Sequence, residues 1–417
     1  MPTDPAAGLP PAPPERPNPT PPLSGDVGGW DRRVASTLDG IRVAGRWRRP
    51  RTLGLDVGDA VSGQVDGQPL VSFAANDYLG LSHHPSVIAA AHAALDRWGA
   101  GAGAARLVVG SRPVHDELES ALAEWKQTED AVLFPTGFAA NLGVMTAFGG
   151  ADVTVLSDAL NHASIIDGSR LSRSAVQVYR HDDLDHLASL LAALPGGGRA
   201  LIATDTIFSM DGDAVDLPAL VDLAARHDAL LVLDEAHAVL GPDLPPAAGS
   251  GGRAPVLRVG TLSKTLGSLG GFVAGPRDYI DLLRNVARSF IFTTASTPAD
   301  TAAALAALQV VRSPEGATLM TRLRGHIDRL RPGHPSAVLP VVLGDEATAL
   351  AASAELESRG LLVPAIRPPT VAPGTSRLRI ALSAAHTDDQ LDRLVAALAD
   401  IAPHALTAAP VTVGTAP

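Results

Sequence analysis

Six short apolar runs recur along the chain: "AVLF" (131–134), "VTVLS" (153–157), "VQVY" (176–179), "ALIATD" (200–205), "ALLVLD" (229–234) and "VLRVGT" (256–261). Runs of this length read as strands buried on both faces. Between several of them, apolar residues recur at helical spacing, as in "DDLDHLASLLAAL" (182–194) and "DLPALVDLAARHD" (216–228). The alternation predicts an α/β fold, a mainly parallel sheet with helices on both faces. Ligands then bind beyond the carboxyl ends of the strands. From about 309 the pattern changes to a helix, "AVLPVVLG" (337–344), a helix near 345–359, "GLLVPAIRPPT" (360–370), "SRLRIALS" (376–383) and a final helix. We therefore expect a proline-rich tail (1–28), an N-terminal segment (29–72), a large domain (73–308), a smaller α+β domain (309–402) and a second tail (403–417).

Composition narrows the function classes. The 417 residues are 46% apolar and 18% charged, with a net charge of −11, which argues against nucleic acid as a main partner. There is no cysteine, which removes disulfides, thiolate metal sites and cysteine nucleophiles. The thirteen histidines form no H-E-x-x-H pattern, so no metal is expected. No apolar run is long enough to span a bilayer and no signal segment opens the chain, so the cytoplasm is expected. Residues 1–22 hold ten prolines and almost nothing that could form a core, which predicts a disordered or polyproline-like tail.

The strand at 229–234 leads into Asp234-Glu235-Ala236-His237, the tetrad of nucleotide-hydrolysing helicases. Such enzymes also need G-x-x-x-x-G-K-[ST], and the only lysines are Lys126, followed by Gln127, and Lys264, preceded by Ser263. Nucleotide hydrolysis is thereby excluded. A carboxylate ending a buried strand has to be paired, whether in a site or in a structural ion pair. Lys264 follows the next strand in "GTLSKTLGSLGG", and a desolvated lysine amine can form a Schiff base. A Schiff-base lysine with an aspartate on a pyridinium nitrogen is what pyridoxal phosphate (PLP) chemistry requires. In "LFPTGFAANLG", Gly137 and Phe138 open a helix after a strand, a place for the phosphate or simply a turn. Lys126, in "LAEWKQTED", is expected in a helix and nearly neutral to replacement.

Many further blocks, in order and at compatible spacing, resemble the α-oxoamine synthases: "NDYLGLSHHP" (76–85), "VHDELE" (114–119), "SDALNHASIIDG" (157–168), "FSMDGD" (208–213) and "AIRPPTVAPGTSRLRIALSAAH" (365–386). The resemblance covers roughly 30–402 and implies a PLP-dependent transferase fold of type I. It implies that Lys264 is the Schiff-base lysine and Asp234 the partner of the pyridine nitrogen. His237 and Ser209 would lie near the phenolic oxygen, and His162 would stack on the ring. Gly137, Phe138 and Thr261 would hold the phosphate, with Thr294 reaching it from the second subunit of a homodimer. Arg379 would pair with the amino-acid carboxylate, Asn76 and Thr370 would line the substrate side, and Arg48, in "RVAGRWRRPR" (42–51), would contact the acyl donor. The last block points to members that condense L-alanine with a pimeloyl thioester, carried by coenzyme A or a carrier protein. Glycine- or serine-using sister synthases, and a silent scaffold, remain alternatives. Two departures bear on the amino-acid site: Ala104-Ala105-Arg106 stands where the family commonly has Gly-Ser-Arg, and Ala238 where it has glycine.

Overall fold

The computed structural model describes residues 28–195, 198–244 and 254–403. Apart from Gly28 and Pro403, both expected tails lie outside the described residues. The chain divides after Thr52 into two compact units. In the first, the helix Gly29–Val43 buries none of its residues, and the Arg42 guanidinium lies 4.5 Å from the Trp47 ring.

The second unit is organised by a seven-stranded sheet. Its strands are β1 (Asp130–Phe134), β2 (Val153–Asp158), β3 (Ala175–Tyr179), β4 (Arg199–Asp205), β5 (Leu230–Asp234), β6 (Val256–Thr261) and β7 (Gly271–Gly275). They lie in the order β1-β7-β6-β5-β4-β2-β3, and only β7 runs against the others. All six predicted strands are present to within a residue at each end. Their near-continuous apolar runs have a packing cause. Leu231 and Leu233 of β5 pack into one core cluster and Val232 into another, so both faces are covered.

β7 has no counterpart among the predicted strands. Its "GFVAG" is short and glycine-bounded, yet all five residues are buried between β1 and β6. Gly271 is required there, because a Cβ would stand 2.4 Å from the Thr136 carbonyl carbon. The strand thereby passes directly beneath the start of helix α1 (Gly137–Phe148). Two smaller sheets flank this core. One joins Leu53–Leu55, Ser62–Val65 and Gln68–Ser72 to Leu361–Leu362, and the other joins Val338–Gly344, Ser376–Ala381 and Ala365–Ile366.

Lys126 corrects an expectation. It lies in a helix as expected, but it is not a neutral position: it is 8% exposed, and its Nζ lies 2.7 Å from Glu235 Oε2. Arg258 Nε donates to the other Glu235 oxygen at 2.6 Å, and Arg258 Nη1 donates to the Lys126 carbonyl at 2.8 Å. Glu235 follows Asp234 on an extended backbone, so its carboxylate leaves the sheet on the opposite side and needs cations of its own. Lys126→Ala should therefore lower stability by about 3 kcal/mol, the scale for removing one partner of a buried pair. Urea unfolding would measure it, and a loss under about 1 kcal/mol, the scale of a surface pair, would contradict this account.

Candidate active site

Five connections leave the carboxyl ends of parallel strands on one edge of the sheet. β1 leads to Thr136, whose hydroxyl caps α1 by accepting the Ala139 N–H at 3.0 Å. The N–H groups of Gly137 and Phe138 have no hydrogen-bond partner among the described residues. A Cβ on Gly137 would lie 3.4 Å from Thr261 Cβ, so the end of β6 borders these free amides. Free amides at a helix start favour an anion. β2 leads to His162, which caps helix α2 (Ala163–Leu171). β4 and β5 are paired in register with Asp205 opposite Asp234, which sets two carboxylates side by side.

Asp234 is held by donors. Asn141 Nδ2 donates to its Oδ2 at 2.6 Å and the Ala236 N–H donates to Oδ1 at 2.9 Å. Asp205 is forced the other way. Burial and the charge of Asp234 raise its pKa well above the usual carboxylate value. Lys264 Nζ lies 2.8 Å from His237 Nε2. Burial lowers the Lys264 pKa against the pull of Asp234 and Asp205. Burial first, then the charges of Lys264 and Arg379, push His237 well below its ordinary value and keep it neutral. His237 Nδ1 meets the Tyr78 hydroxyl at 2.5 Å, and burial raises that phenol to about 12. Tyr78 donates to Asn76 Oδ1 at 3.2 Å, which also accepts from Arg379 Nη2 at 3.2 Å. Arg379 Nε donates to the Ser209 carbonyl at 2.5 Å. A continuous chain of polar contacts thus runs from Lys264 to Arg379.

Of the predicted residues, Lys264, His237, Asn76, Arg379 and Ser209 share that chain. Asp234 and His162 share another, through Asn141 and Ser164. Gly137, Phe138 and Thr261 sit together at the α1 end, and the Phe138 and His162 rings meet edge to face at 6.4 Å. Thr370 lies exposed in the turn closed by its N–H to the Arg367 carbonyl, with no contact to these groups recorded. Thr294 is exposed in a crevice with Arg106, Phe134 and Phe290. Arg48 belongs to the first unit and is exposed. Sequence reasoning missed Tyr78, Asn141, Ser164 and Asp205. Asp205 carried the same signal as Asp234, a carboxylate closing an apolar strand.

A sequence profile of the aminotransferase class I and II family matches residues 68–398. The chain is 49% identical over 392 residues to the 8-amino-7-oxononanoate synthase of Anaeromyxobacter dehalogenans, across 90% of this chain and 97% of that one. It is 47% identical over 381 residues to the synthase of the same name from a Methylobacterium strain, across 89% and 97%. Serine palmitoyltransferase from S. paucimobilis, solved with a bound PLP–myriocin aldimine, shares the fold with a TM-score of 0.80 and 27% identity, across 90% and 98%. The profile and the relatives agree: this chain belongs to the class I and II aminotransferase family, in the branch that holds the 8-amino-7-oxononanoate synthases.

Proposed function

We propose that the chain carries out the 8-amino-7-oxononanoate synthase reaction of biotin synthesis. L-alanine and a pimeloyl thioester are joined, and the thiol carrier and CO2 are released. The observation that carries this reading is the desolvated Lys264 amine, set among His237, Asp234 and Asp205, in a chain 49% identical to a relative of that name. A sister synthase using glycine or serine has the serine palmitoyltransferase likeness in its favour, but at 27% identity that supports the fold more than the substrate.

The donor set fits PLP. The free amides of Gly137 and Phe138, beside Thr261, suit a phosphate. The Asp234 carboxylate, already oriented by Asn141 and Ala236, keeps lone pairs for a pyridinium N–H. When bound there, PLP would supply an aldehyde for amines and a protonated ring that draws electrons from the substrate α-carbon.

The chain's own groups supply the rest. Lys264 would anchor the cofactor, and its burial, which favours the neutral amine, suits it to take the α-proton of alanine. His237 and Ser209 serve the phenolic-oxygen side. Arg379 pairs with the alanine carboxylate, with Asn76 and Thr370 on the same side, and Arg48 binds the anionic acyl donor. His162 would stack on the ring and donate to the acyl oxygen or the carboxylate. Ala104, Ala105 and Ala238 border the question of amino-acid choice, and either coenzyme A or a carrier protein suits the donor site. Thr294 is proposed to complete the partner's phosphate site in a homodimer. Exposed Phe292 and the exposed run Leu107, Val108 and Val109 support an interface, because the two segments touch and the Ala295 N–H bonds to the Ala104 carbonyl. No helix among the described residues is long and apolar enough to cross a membrane, and we place the enzyme in the cytoplasm.

Lys264→Ala should keep PLP through the phosphate site and Asp234 but lose condensation at least about 1,000-fold. Cofactor absorbance and alanine-dependent turnover read the two effects; a variant retaining near-native turnover overturns the assignment. Arg48→Ala should raise the KM for the acyl donor roughly tenfold or more, the loss of one charge-assisted hydrogen bond, and leave the KM for alanine nearly unchanged. Equal changes in both constants would refute that role. Sedimentation should find a dimer at assay concentrations, and a fully active monomer would end the composite-site proposal.

A further inference from the structure

Asn141 and Ser164 lie between Asp234 and His162, both essentially inaccessible to solvent, at 1% and 0% exposure. An ionised carboxylate only accepts hydrogen bonds, so Asn141 has to turn its amide nitrogen toward Asp234, at 2.6 Å. The second hydrogen of the same nitrogen goes to Ser164 Oγ at 2.9 Å. Asn141 Oδ1 is left buried without a hydrogen-bond partner. Leaving an acceptor unsatisfied is unfavourable, and the carboxylate imposes that orientation nonetheless.

The consequence passes outward one bond at a time. Ser164 Oγ has accepted from Asn141, so its own proton is free, and His162 Nδ1 stands 2.7 Å away. The Ser164 backbone N–H points at the same Nδ1, at 3.3 Å. Two donors converge on one ring nitrogen. A proton on Nδ1 would oppose both donors, the backbone N–H weakly at 3.3 Å and the hydroxyl more strongly at 2.7 Å. The lone pair therefore belongs on Nδ1, and the proton of neutral His162 belongs on Nε2, which has no partner among the described residues.

We propose that Asn141 and Ser164 are positioning residues that carry the hydrogen-bonding demand of the Asp234 carboxylate into the tautomer of His162, fixing Nε2–H as a donor. This rests on the reading of His162 as a residue of the reaction site. A fixed donor is what a developing negative charge on an acyl or carboxylate oxygen requires. The other tautomer would present a lone pair to that oxygen and repel it.

Nitrogen-15 NMR of the full-length protein labelled in histidine tests this, with and without PLP, with the His162 signals identified by their loss in His162→Gln. Native His162 should be neutral with its proton on Nε2. Ser164→Ala should give a mixture of tautomers and lower kcat at least roughly tenfold, the scale on which loss of a supporting hydrogen-bond partner acts. PLP affinity should change little, since Asp234 keeps Asn141. A native Nδ1–H tautomer overturns the inference, and so does Ser164→Ala with an unaltered Nε2–H signal. Should Ser164→Ala fail to fold, the native tautomer decides alone. A protein with Nε2–H on His162 and no condensation activity would refute the proposed reaction and support this inference.

Discussion

Asp234 ends β5 with 5% of its surface exposed, and a carboxylate so placed has to be met by donors or give up its charge. Two donors meet it, the Asn141 amide and the Ala236 N–H. Its neighbour Asp205, one strand away, lies in the same dry space, and burial and the charge of Asp234 raise its pKa well above the usual carboxylate value. The two carboxyls at adjacent strand ends therefore answer one constraint differently, Asp234 through donors and Asp205 through a raised pKa. The same constraint turns Asn141 and so reaches His162.

Glu235 meets its own version of the problem on the far side of the sheet. Lys126 and Arg258 both engage it, so the backbone immediately after Asp234 is clamped from behind as well. The Glu235 N–H adds a bond to the Val259 carbonyl at 2.8 Å, tying the end of β5 to β6. The tetrad that suggested nucleotide hydrolysis thus serves two unconnected purposes. Asp234 and His237 face the cleft, and Glu235 holds the strand end in place.

Much of the parallel sheet was legible because strands buried on both faces leave uninterrupted apolar runs, and the residue ending each run marks the ligand edge. β7 was not, because "GFVAG" is chosen for close approach to Thr136 and reads as part of a glycine-rich turn. Lys126 was misread because its partners lie over a hundred positions away, beyond any helical periodicity. The network itself was beyond local patterns for the same reason. Asn141 and Asp234 are 93 positions apart, Tyr78 and His237 159 apart, and Asn76 and Arg379 303 apart. Resemblance to the α-oxoamine synthases supplied Asn76 and Arg379, which no spacing argument would have joined.

The substrate side of the cleft depends on a second tie, between the loop after β4 and the C-terminal three-stranded sheet. Gly212 adopts φ +70° in that loop, and a Cβ there would lie 1.9 Å from the Val338 carbonyl oxygen, so loop and strand touch backbone to backbone. Arg377 pairs with Asp211, and Arg379, two residues along the same strand, reaches the Ser209 carbonyl. From the other end, His181 bridges Asp158 and Asp213. Burial opposes its charge, but the two carboxylates outweigh that and raise its pKa to about 10, so the bridge is charged at neutral pH. The loop is therefore held by ion pairs at Asp211 and Asp213 and by backbone contact at Gly212. Ser209 is left no freedom to move independently of Arg379. Arg379, proposed to recognise the substrate carboxylate, and Ser209, proposed for the cofactor side, are thereby fixed as one body, which is the preorganisation that such roles would require.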